Sequence, residues 1–321
     1  MTFSNSLISI IVACYNEQES IALFYKELLK IQQTYKLNIE IVLIDDGSLD
    51  LTWTEIKKIR SIHPKTQCIK FSRNFGKEAA IMAGLKHCKG NAAVIIDVDL
   101  QDPIELIPQF ISKWQMGYDM VVGKRINRPF DSLMKKQFAF WFYKIFNQIS
   151  DIKIPENVSD FRLISRKIIE EIIKLPEKNL FMKGIFSWVG FKTYSINFVR
   201  KNRVKGHSQF SFKKLYKLAF LGILSFSSLP LRIWSYLGTM SSISSFILLI
   251  TLSIKYTLLN HTINKHLITV AVICFFGSIQ LLSIGIVGQY LAQLCQENKK
   301  RPSFVIENHH SYLQKHTVLH D

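Results

Sequence analysis

Residues 178–296 of this sequence contain no aspartate and no glutamate, although the chain as a whole carries 24 acidic residues against 41 lysines and arginines. The formal net charge of +17 therefore divides unevenly: residues 1–177 hold 24 basic and 21 acidic side chains, 178–296 hold 13 basic and none acidic, and 297–321 hold four basic and three acidic. A basic excess of this size points to a polyanionic partner. Its near absence from the first half argues against a nucleic-acid-binding groove there, and no nucleic acid is expected as a partner.

Other absences narrow the chemistry. The cysteines, Cys14, Cys68, Cys88, Cys274 and Cys295, form no Cys-x-x-Cys pair and no metal-spaced cluster, so a disulfide framework or a zinc module is not expected. Neither Gly-x-x-x-x-Gly-Lys-Ser/Thr nor Gly-x-Gly-x-x-Gly occurs, which argues against a P-loop ATPase and a dinucleotide oxidoreductase. Residues 1–6 are polar and 7–13 are too short for an apolar targeting core, so no signal peptide is expected. Disorder is excluded by 48% hydrophobic and 12% aromatic residues.

What the acid-free stretch does contain is long apolar runs. Residues 233–254 run 22 positions, and 267–294 run 28, without a formal charge. About 20 residues at about 1.5 Å rise cross a hydrocarbon core, so two transmembrane helices are expected, joined by the short loop 255–266 into a hairpin. Arg200, Lys201, Arg203, Lys205 and Arg232 precede the first run, and Lys299, Lys300 and Arg301 follow the second, while the loop has only Lys255 and Lys265. The positive-inside rule then puts the N-terminal region and the tail in the cytoplasm. Residues 210–231 mix Phe210, Phe212, Tyr216 and Phe220 with Lys213, Lys214 and Lys217, a pattern suited to an interfacial amphipathic segment on anionic headgroups. The organisation expected is a domain over 1–209, the interfacial segment 210–231, two membrane helices within 232–296 and a cytoplasmic tail 297–321.

In the first half, short β-branched runs alternate with helical patterns. Strands are predicted at 7–13, 39–44, 67–71, 92–96 and 119–122, with helices near 17–33, 51–62, 77–87 and 103–114. That alternation predicts an α/β fold with a mostly parallel sheet covered on both faces. Ligands of such sheets bind beyond the carboxyl ends of the strands. Three of those ends are polar: Ala13-Cys14-Tyr15-Asn16-Glu17, then Asp45-Asp46-Gly47-Ser48, then Asp97-Val98-Asp99-Leu100-Gln101-Asp102-Pro103. Taken singly, the first two read as ordinary turn and helix-start chemistry. Together they converge on one cleft. Asp97 and Asp99 stand at strand spacing with Gln101 two residues on, a hard oxygen set suited to Mg²⁺ or Mn²⁺ and, through the metal, to phosphate.

This order of motifs resembles the family-2 glycosyltransferases of the A-type nucleotide-sugar fold. Among them it is similar to the polyprenyl-phosphate glycosyltransferases, the group that includes bactoprenol glucosyl transferases and dolichol-phosphate mannose synthases. The two-helix hairpin and the stretch from Ile284-Gly285-Ile286-Val287-Gly288-Gln289-Tyr290 to Arg301-Pro302 extend the likeness over nearly the whole chain. The resemblance implies a Rossmann-like catalytic domain in which Ala13, Tyr15, Glu17, Asp45, Asp46 and Asp97 bind the donor nucleotide sugar. It implies Asp97, Asp99 and Gln101 as the holders of Mg²⁺ or Mn²⁺, and Asp160 in Ser159-Asp160-Phe161-Arg162-Leu163 as base or acceptor-positioning acid, with Asp99 also catalytic. Arg125, Arg128, Arg200, Arg203 and Ser208 would meet the acceptor phosphate.

The same likeness implies one inverting transfer, with uridine diphosphate glucose as first-choice donor and polyprenyl (undecaprenyl) phosphate as acceptor, for cell-surface glycan modification. It further implies residence in the lipid bilayer of a bacterial inner membrane, and a homo-oligomer, a tetramer being plausible. The sequence departs from the family where Ala13 replaces proline, Gln289 replaces glutamate, and Gly206-His207-Ser208-Gln209 replaces Gly-Glu-Ser-Lys, leaving Lys205 or Lys213 to substitute for the missing lysine. The alternative from another class is a silent membrane scaffold, to which only Ala13 and Gln209 lend support.

Overall fold

A computed structural model describes residues 6–126, 158–177, 181–201, 265–299 and 301–311, with isolated positions between 240 and 251. The first half alternates strand and helix: β1 (Ile8–Cys14), α1 (Ile21–Tyr35), β2 (Ile39–Asp45), α2 (Thr52–Ile62), β3 (Thr66–Phe71), α3 (Lys77–His87), β4 (Ala92–Ile95), a 3₁₀ turn (Ile104–Leu106), α4 (Ile107–Gln115) and β5 (Met120–Arg125). There follow β6 (Val158–Ser165), α5 (Arg166–Lys174), α6 (Met182–Trp188), β7 (Thr193–Phe198), the long helix α7 (Lys265–Asn298) and β8 (Ile306–His310).

The strands form one sheet in the order β7-β5-β6-β4-β1-β2-β3-β8. β1 pairs in parallel with β2 and β4, β2 with β3, and β5 with β7. The central strands are mostly apolar because helices cover both faces, and β2 is buried at every position, Glu40 and Asp45 included. Side chains alternate between two cores as the period of two requires: Ile10, Val12, Ile41 and Leu43 pack under α1, α2 and α4. Ile11, Val42, Ile44 and Ile69 pack on the other face, under α3 and α5. Helix α1 fits its face through Ile21, Phe24 and Leu28, one helical stripe. Helix α3 lies so close that a Cβ on Gly84 would fall 2.3 Å from the Ile11 side chain.

All five strands and four helices predicted in the first half are present, with ends moved by a few residues, and the helix expected over 103–114 begins as a 3₁₀ turn. The sheet is mixed instead of mostly parallel, because β6 runs antiparallel between β4 and β5 and β8 runs antiparallel beside β3. Strand β6 escapes a hydrophobic pattern search because Ser159 and Arg162 are buried within it: Ser159 is satisfied by Arg125 and Asp102 from other elements, and Arg162 donates to the Ser159 carbonyl of its own strand and lies over the Phe186 ring. Strand β8 falls in the segment expected as a tail. Its residues Ile306–His310 cover the β3 edge, Glu307 pairs with Lys70 at 2.9 Å, and Phe304 stacks on Phe71 with ring centres 5.0 Å apart.

Of the expected membrane hairpin, 233–254 lies outside the described residues apart from isolated positions, as do 210–231 altogether. Helix α7 covers the second run. Its window Phe275–Ala292, with mean hydropathy 1.4, is long and apolar enough to cross a membrane, and none of it is buried among the described residues.

Candidate active site

The ends of β1, β2, β3, β4, β5 and β7 and the beginnings of β6 and β8 share one edge of the sheet, as their pairing directions require. The turns after β1 and β2 are stitched together there. Asn16, at φ 53°, donates its N–H to Ser48 Oγ at 3.0 Å and accepts the Leu49 N–H on its side chain at 2.9 Å. The Glu17 N–H reaches Thr52 Oγ1 at 2.9 Å, and Tyr15 and Ala13 sit half-buried beside this seam.

Asp45 and Asp46 divide their work. Asp46 accepts the Phe75 N–H at 2.7 Å and the Gly76 N–H at 2.9 Å, so its carboxylate anchors the loop after β3. Burial pushes its pKa up to about 6 against the pull of those two donors. Gly47, at φ +66°, permits this packing, since a Cβ there would lie 2.3 Å from the Arg73 carbonyl carbon. Asp45 accepts the Ser48 N–H at 2.9 Å on one oxygen, while its Oδ2 is buried without a partner. Burial raises its pKa too.

After β4, Asp97 and Asp99 fall two residues apart as the sequence predicts. Asp99 is buried and accepts the Gln101 N–H at 3.2 Å, helped by Leu100 at φ 57°. The Gln101 carbonyl accepts the Lys201 N–H at 3.0 Å, which draws the segment after β7 against this turn. Asp97 is held by Lys77, the first residue of α3, whose Nζ lies 2.6 Å from Oδ1 and 2.9 Å from Oδ2. The same ammonium lies 2.8 Å from Oδ2 of Asp160 on β6. Lys183 of α6 adds a looser contact to Asp160 at 3.8 Å.

Burial alone would raise the Asp160 pKa, but Lys77, Lys183 and Arg162 outweigh it and hold the carboxyl well below the usual range. Burial likewise opposes a charged Lys77, and Asp160 and Asp97 override it, raising that pKa. Next to them Glu78, which accepts the Met182 N–H at 3.3 Å, is pushed up to about 7 by burial and by Asp160. Arg162 donates to the Ser159 carbonyl at 2.9 Å and lies 4.1 Å over the Phe186 ring, which fixes the backbone on either side of Asp160.

Two arginines complete the edge. Arg125, at the end of β5, donates to Ser159 Oγ at 3.1 Å and lies 3.4 Å from Asp102, which also accepts the Ser159 hydroxyl at 3.1 Å. Arg200 follows β7, and burial with the nearby charge of Arg125 lowers its pKa while Asp102, Asp99 and Asp97 resist. Nε of each arginine is buried with no hydrogen-bond partner among the described residues. Unpaired N–H groups of this kind await an acceptor, and the guanidinium fork suits phosphate oxygens.

Of the expected site residues, Asp97, Asp99, Gln101, Asp160, Arg125 and Arg200 meet at this edge, with Ala13, Tyr15, Glu17, Asp45 and Asp46 flanking it. Arg128, Arg203 and Ser208 lie outside the described residues, as do Lys205, Gln209 and Lys213. The sequence reading overlooked Lys77, Lys183, Glu78 and the Asp102–Ser159 pair. One signal was present for Lys77: a cation on the first residue of a helix opposes the helix dipole unless acids hold it there.

Among the described residues no three His, Cys, Asp or Glu side chains form a closed cage for a metal. Two carboxylates and an amide on one turn are instead the partial oxygen set that Mg²⁺ or Mn²⁺ completes with substrate phosphate and water. The donor set of Asp97, Asp99 and Gln101 fits such an ion.

This α/β sheet with its acidic edge is the catalytic domain of a glycosyltransferase: residues 9–173 match glycosyl transferase family 2, and the chain belongs to that family. It is 46% identical over 301 residues to the bactoprenol glucosyl transferase of Shigella phage SfV, covering 94% of this chain and 98% of that one. It is 45% identical over 300 residues to the prophage bactoprenol glucosyl transferase homolog of Escherichia coli (strain K12), with coverage of 94% and 98%. An uncharacterized glycosyltransferase, YkcC, of Bacillus subtilis (strain 168) is 37% identical over 314 residues, covering 96% and 97%.

Proposed function

We propose that this enzyme transfers one glucosyl residue from uridine diphosphate glucose to the phosphate of a polyprenyl lipid, undecaprenyl phosphate in a bacterial inner membrane. The observation that carries the reading is the pairing of acids and arginines at one sheet edge: Asp97 and Asp99 stand on the turn after β4, and Arg125 and Arg200 beside them keep buried Nε groups with no hydrogen-bond partner among the described residues. Likeness to proteins named bactoprenol glucosyl transferase over 94% of the chain supports the same acceptor and sugar.

The reaction is a single displacement. An oxygen of the lipid phosphate attacks the anomeric carbon, the bond from that carbon to the donor diphosphate breaks, and the configuration inverts. The products are lipid phosphate sugar and nucleoside diphosphate. The second ionisation of a phosphate monoester lies near about 6, so the nucleophile is already charged at neutral pH. A strong general base is unnecessary. Asp160, held ionised by its lysines and Arg162, orients the acceptor side of the cleft and takes no proton. Arg125 and Arg200 hold the acceptor phosphate, with Arg128, Arg203 and Ser208, which follow them in sequence, as further contacts.

On the donor side Tyr15, Glu17 and Asp45 hold base and ribose next to Ala13, and Asp46 shapes the pocket through the Phe75–Gly76 loop it anchors. Asp97, Asp99 and Gln101 would hold a divalent ion, which when bound would supply Lewis-acid stabilisation of the leaving diphosphate.

The bilayer enters through the acid-free half. Helix α7 presents Phe275, Leu281, Ile284 and Leu291 outward with no protein against them, which suits hydrocarbon. With 233–254 as its partner it makes the hairpin, and the basic segment 210–231 lies on the headgroups, keeping the cleft of domain 1–209 near the membrane plane where the lipid phosphate emerges. Strand β8 then returns the residues after α7 to the cytoplasmic domain.

The test is to incubate membranes containing the protein with polyprenyl phosphate and a panel of nucleotide sugars, reading the lipid product by mass. A hexose added to the lipid phosphate from uridine diphosphate glucose is the expected result. Product from a different donor alone overturns the sugar, and no product from any donor overturns the reaction and favours the scaffold.

A further inference from the structure

We propose that Lys77 holds the cation position between Asp97 and Asp160 in the ligand-free enzyme, and so makes divalent-metal binding depend on the arrival of the donor diphosphate. The inference rests on the reading of Asp97 and Asp99 as metal holders, and it concerns a residue that reading does not use.

Lys77 is placed with unusual definition for a lysine. It opens α3 directly after Gly76, whose φ of 101° turns the chain inward, and its side chain is only 24% exposed. A cation at a helix start meets the positive end of the helix dipole, so its position must be sustained by acids. Those acids come from neighbouring antiparallel strands, with contacts of 2.6 Å to Asp97 and 2.8 Å to Asp160. The ammonium thus ties the donor half of the cleft to the acceptor half.

The charge count at the edge explains the consequence. Lys77 contacts two of the three acids Asp97, Asp99 and Asp160, Lys183 lies 3.8 Å from Asp160, and the charge of Arg200 acts on Asp97 and Asp99, so cations already offset most of the acids. A divalent ion entering alone meets a carboxylate already engaged and an ammonium within a few ångströms, in surroundings that screen poorly. An ion entering with a donor diphosphate adds almost no net charge, because the two phosphate charges travel with it. Lys77 can then keep Asp160 in place while Asp97 turns to the metal. The metal site is completed by substrate, and the acceptor side stays ordered through the exchange.

The experiment titrates Mn²⁺ into the purified full-length protein and reads free Mn²⁺ by electron paramagnetic resonance, first without nucleotide and then with uridine diphosphate. The wild type is expected to bind weakly alone and on the order of tenfold or more tightly with the diphosphate. Lys77→Met should bind Mn²⁺ alone tighter by on the order of tenfold or more, and its gain on adding diphosphate should shrink by the same factor. Lys77→Arg, which keeps the charge, should follow the wild type, and Lys77→Gln provides the uncharged variant if the methionine protein does not fold.

Mn²⁺ binding by a folded Lys77→Met or Lys77→Gln protein that is no tighter than the wild type overturns the inference. Asp97→Asn separates the two levels. If it abolishes Mn²⁺ binding while the Lys77 variants change nothing, only the inference fails; if it leaves Mn²⁺ binding intact, the metal reading fails and the inference with it.

Discussion

Asp102 and Arg125 meet at the carboxyl edge of the sheet with 3.4 Å between Oδ1 and Nη2, and Ser159 bridges them by accepting from the arginine at 3.1 Å and donating to the aspartate at 3.1 Å. Asp102 is 2% exposed, so its charge depends on these partners, and burial still raises its pKa. The arrangement aims the guanidinium through Nη2 and leaves Arg125 Nε without a partner among the described residues. Asp102→Ala removes the group that aims Arg125 and leaves that cation partly buried without its counter-ion. The expected result is a KM for polyprenyl phosphate raised by roughly tenfold or more and a stability loss of about 1–3 kcal/mol. Steady-state kinetics with varied lipid and a denaturant melt check the two parts, and Ser159→Ala should show a weaker form of both.

At the opposite end of the sheet a second buried acid has a purely structural task. Glu40, 0% exposed, accepts hydrogen bonds from Ser9 Oγ, Gln67 Nε2 and the backbone N–H groups of Lys89 and Gly90. These contacts fix the turn into β4, which carries Asp97 and Asp99 at its far end. Glu40→Ala removes the acceptor of the Ser9 hydroxyl and the Lys89 N–H, while the Gly90 N–H keeps Ser9 Oγ and Gln67 keeps the His87 carbonyl, and should cost about 2–4 kcal/mol, whereas Glu40→Gln, which keeps an acceptor, should cost less. Differential scanning calorimetry or a denaturant titration reads the loss, while KM for the donor in the folded fraction should stay near the wild-type value.

The contrast between these two acids marks what could be read from the sequence. Asp97, Asp99 and Asp45 follow apolar runs and stand out by position alone, because a parallel sheet gathers such ends into one place. Asp102, Lys77 and Lys183 do not stand out. Asp102 precedes proline and resembles a helix start, and the lysines look like solvent-facing residues until the strand that pairs them is known. That strand is β6, whose buried Ser159 and Arg162 break the apolar pattern because their partners lie 57 residues away on the Asp97–Asp102 turn and, as a ring contact, on Phe186. Strand β8 was hidden differently: Ile306-Glu307-Asn308-His309-His310 has little hydrophobic alternation, and its strand state comes from covering the β3 edge.

The attachment of β8 gives a pH prediction. His87 and His309 touch ring to ring at 4.5 Å between centres, and His310 stacks against Trp53 at 6.0 Å. All three histidines have lowered pKa values, from burial first, with His309, Lys86 and Lys89 adding to it at His87, His310 and Lys89 at His309, and Arg60 and Lys57 at His310. A histidine whose folded pKa is depressed leaves the fold at full stability above its unfolded pKa of about 6.5, and stability is lost as pH falls from there through the lower folded value. Burial of Asp46 works in the opposite sense, favouring the fold as pH falls through about 6, but it acts at the loop after β3 and not on β8. Amide exchange of residues 306–310 and of their partners in β3 should therefore accelerate on acidification from pH 7.5 to 5.5, after correction for intrinsic rates. The double variant His87→Phe with His309→Phe should flatten the dependence; an unchanged pH slope in that variant would assign it elsewhere.

Asp160 offers the sharpest test of how the acceptor is activated. Lys77 at 2.8 Å, Lys183 at 3.8 Å and Arg162 keep its carboxylate ionised far below neutral pH, so it has no proton affinity with which to act as a base. Its removal should cost rate by misplacing the two lysines, on the order of 10²-fold in kcat, a size typical of lost positioning. The acid limb of the pH–rate profile should nevertheless survive in Asp160→Asn, since that limb belongs to the lipid phosphate, whose second ionisation lies near about 6. Glu78, pushed up to about 7, and Asp46, pushed up to about 6, are carboxylates that titrate in the same window. Glu78→Gln and Asp46→Asn separate the sources: a limb that persists in all three variants assigns it to the substrate, and a limb lost only in Asp160→Asn would make Asp160 the base.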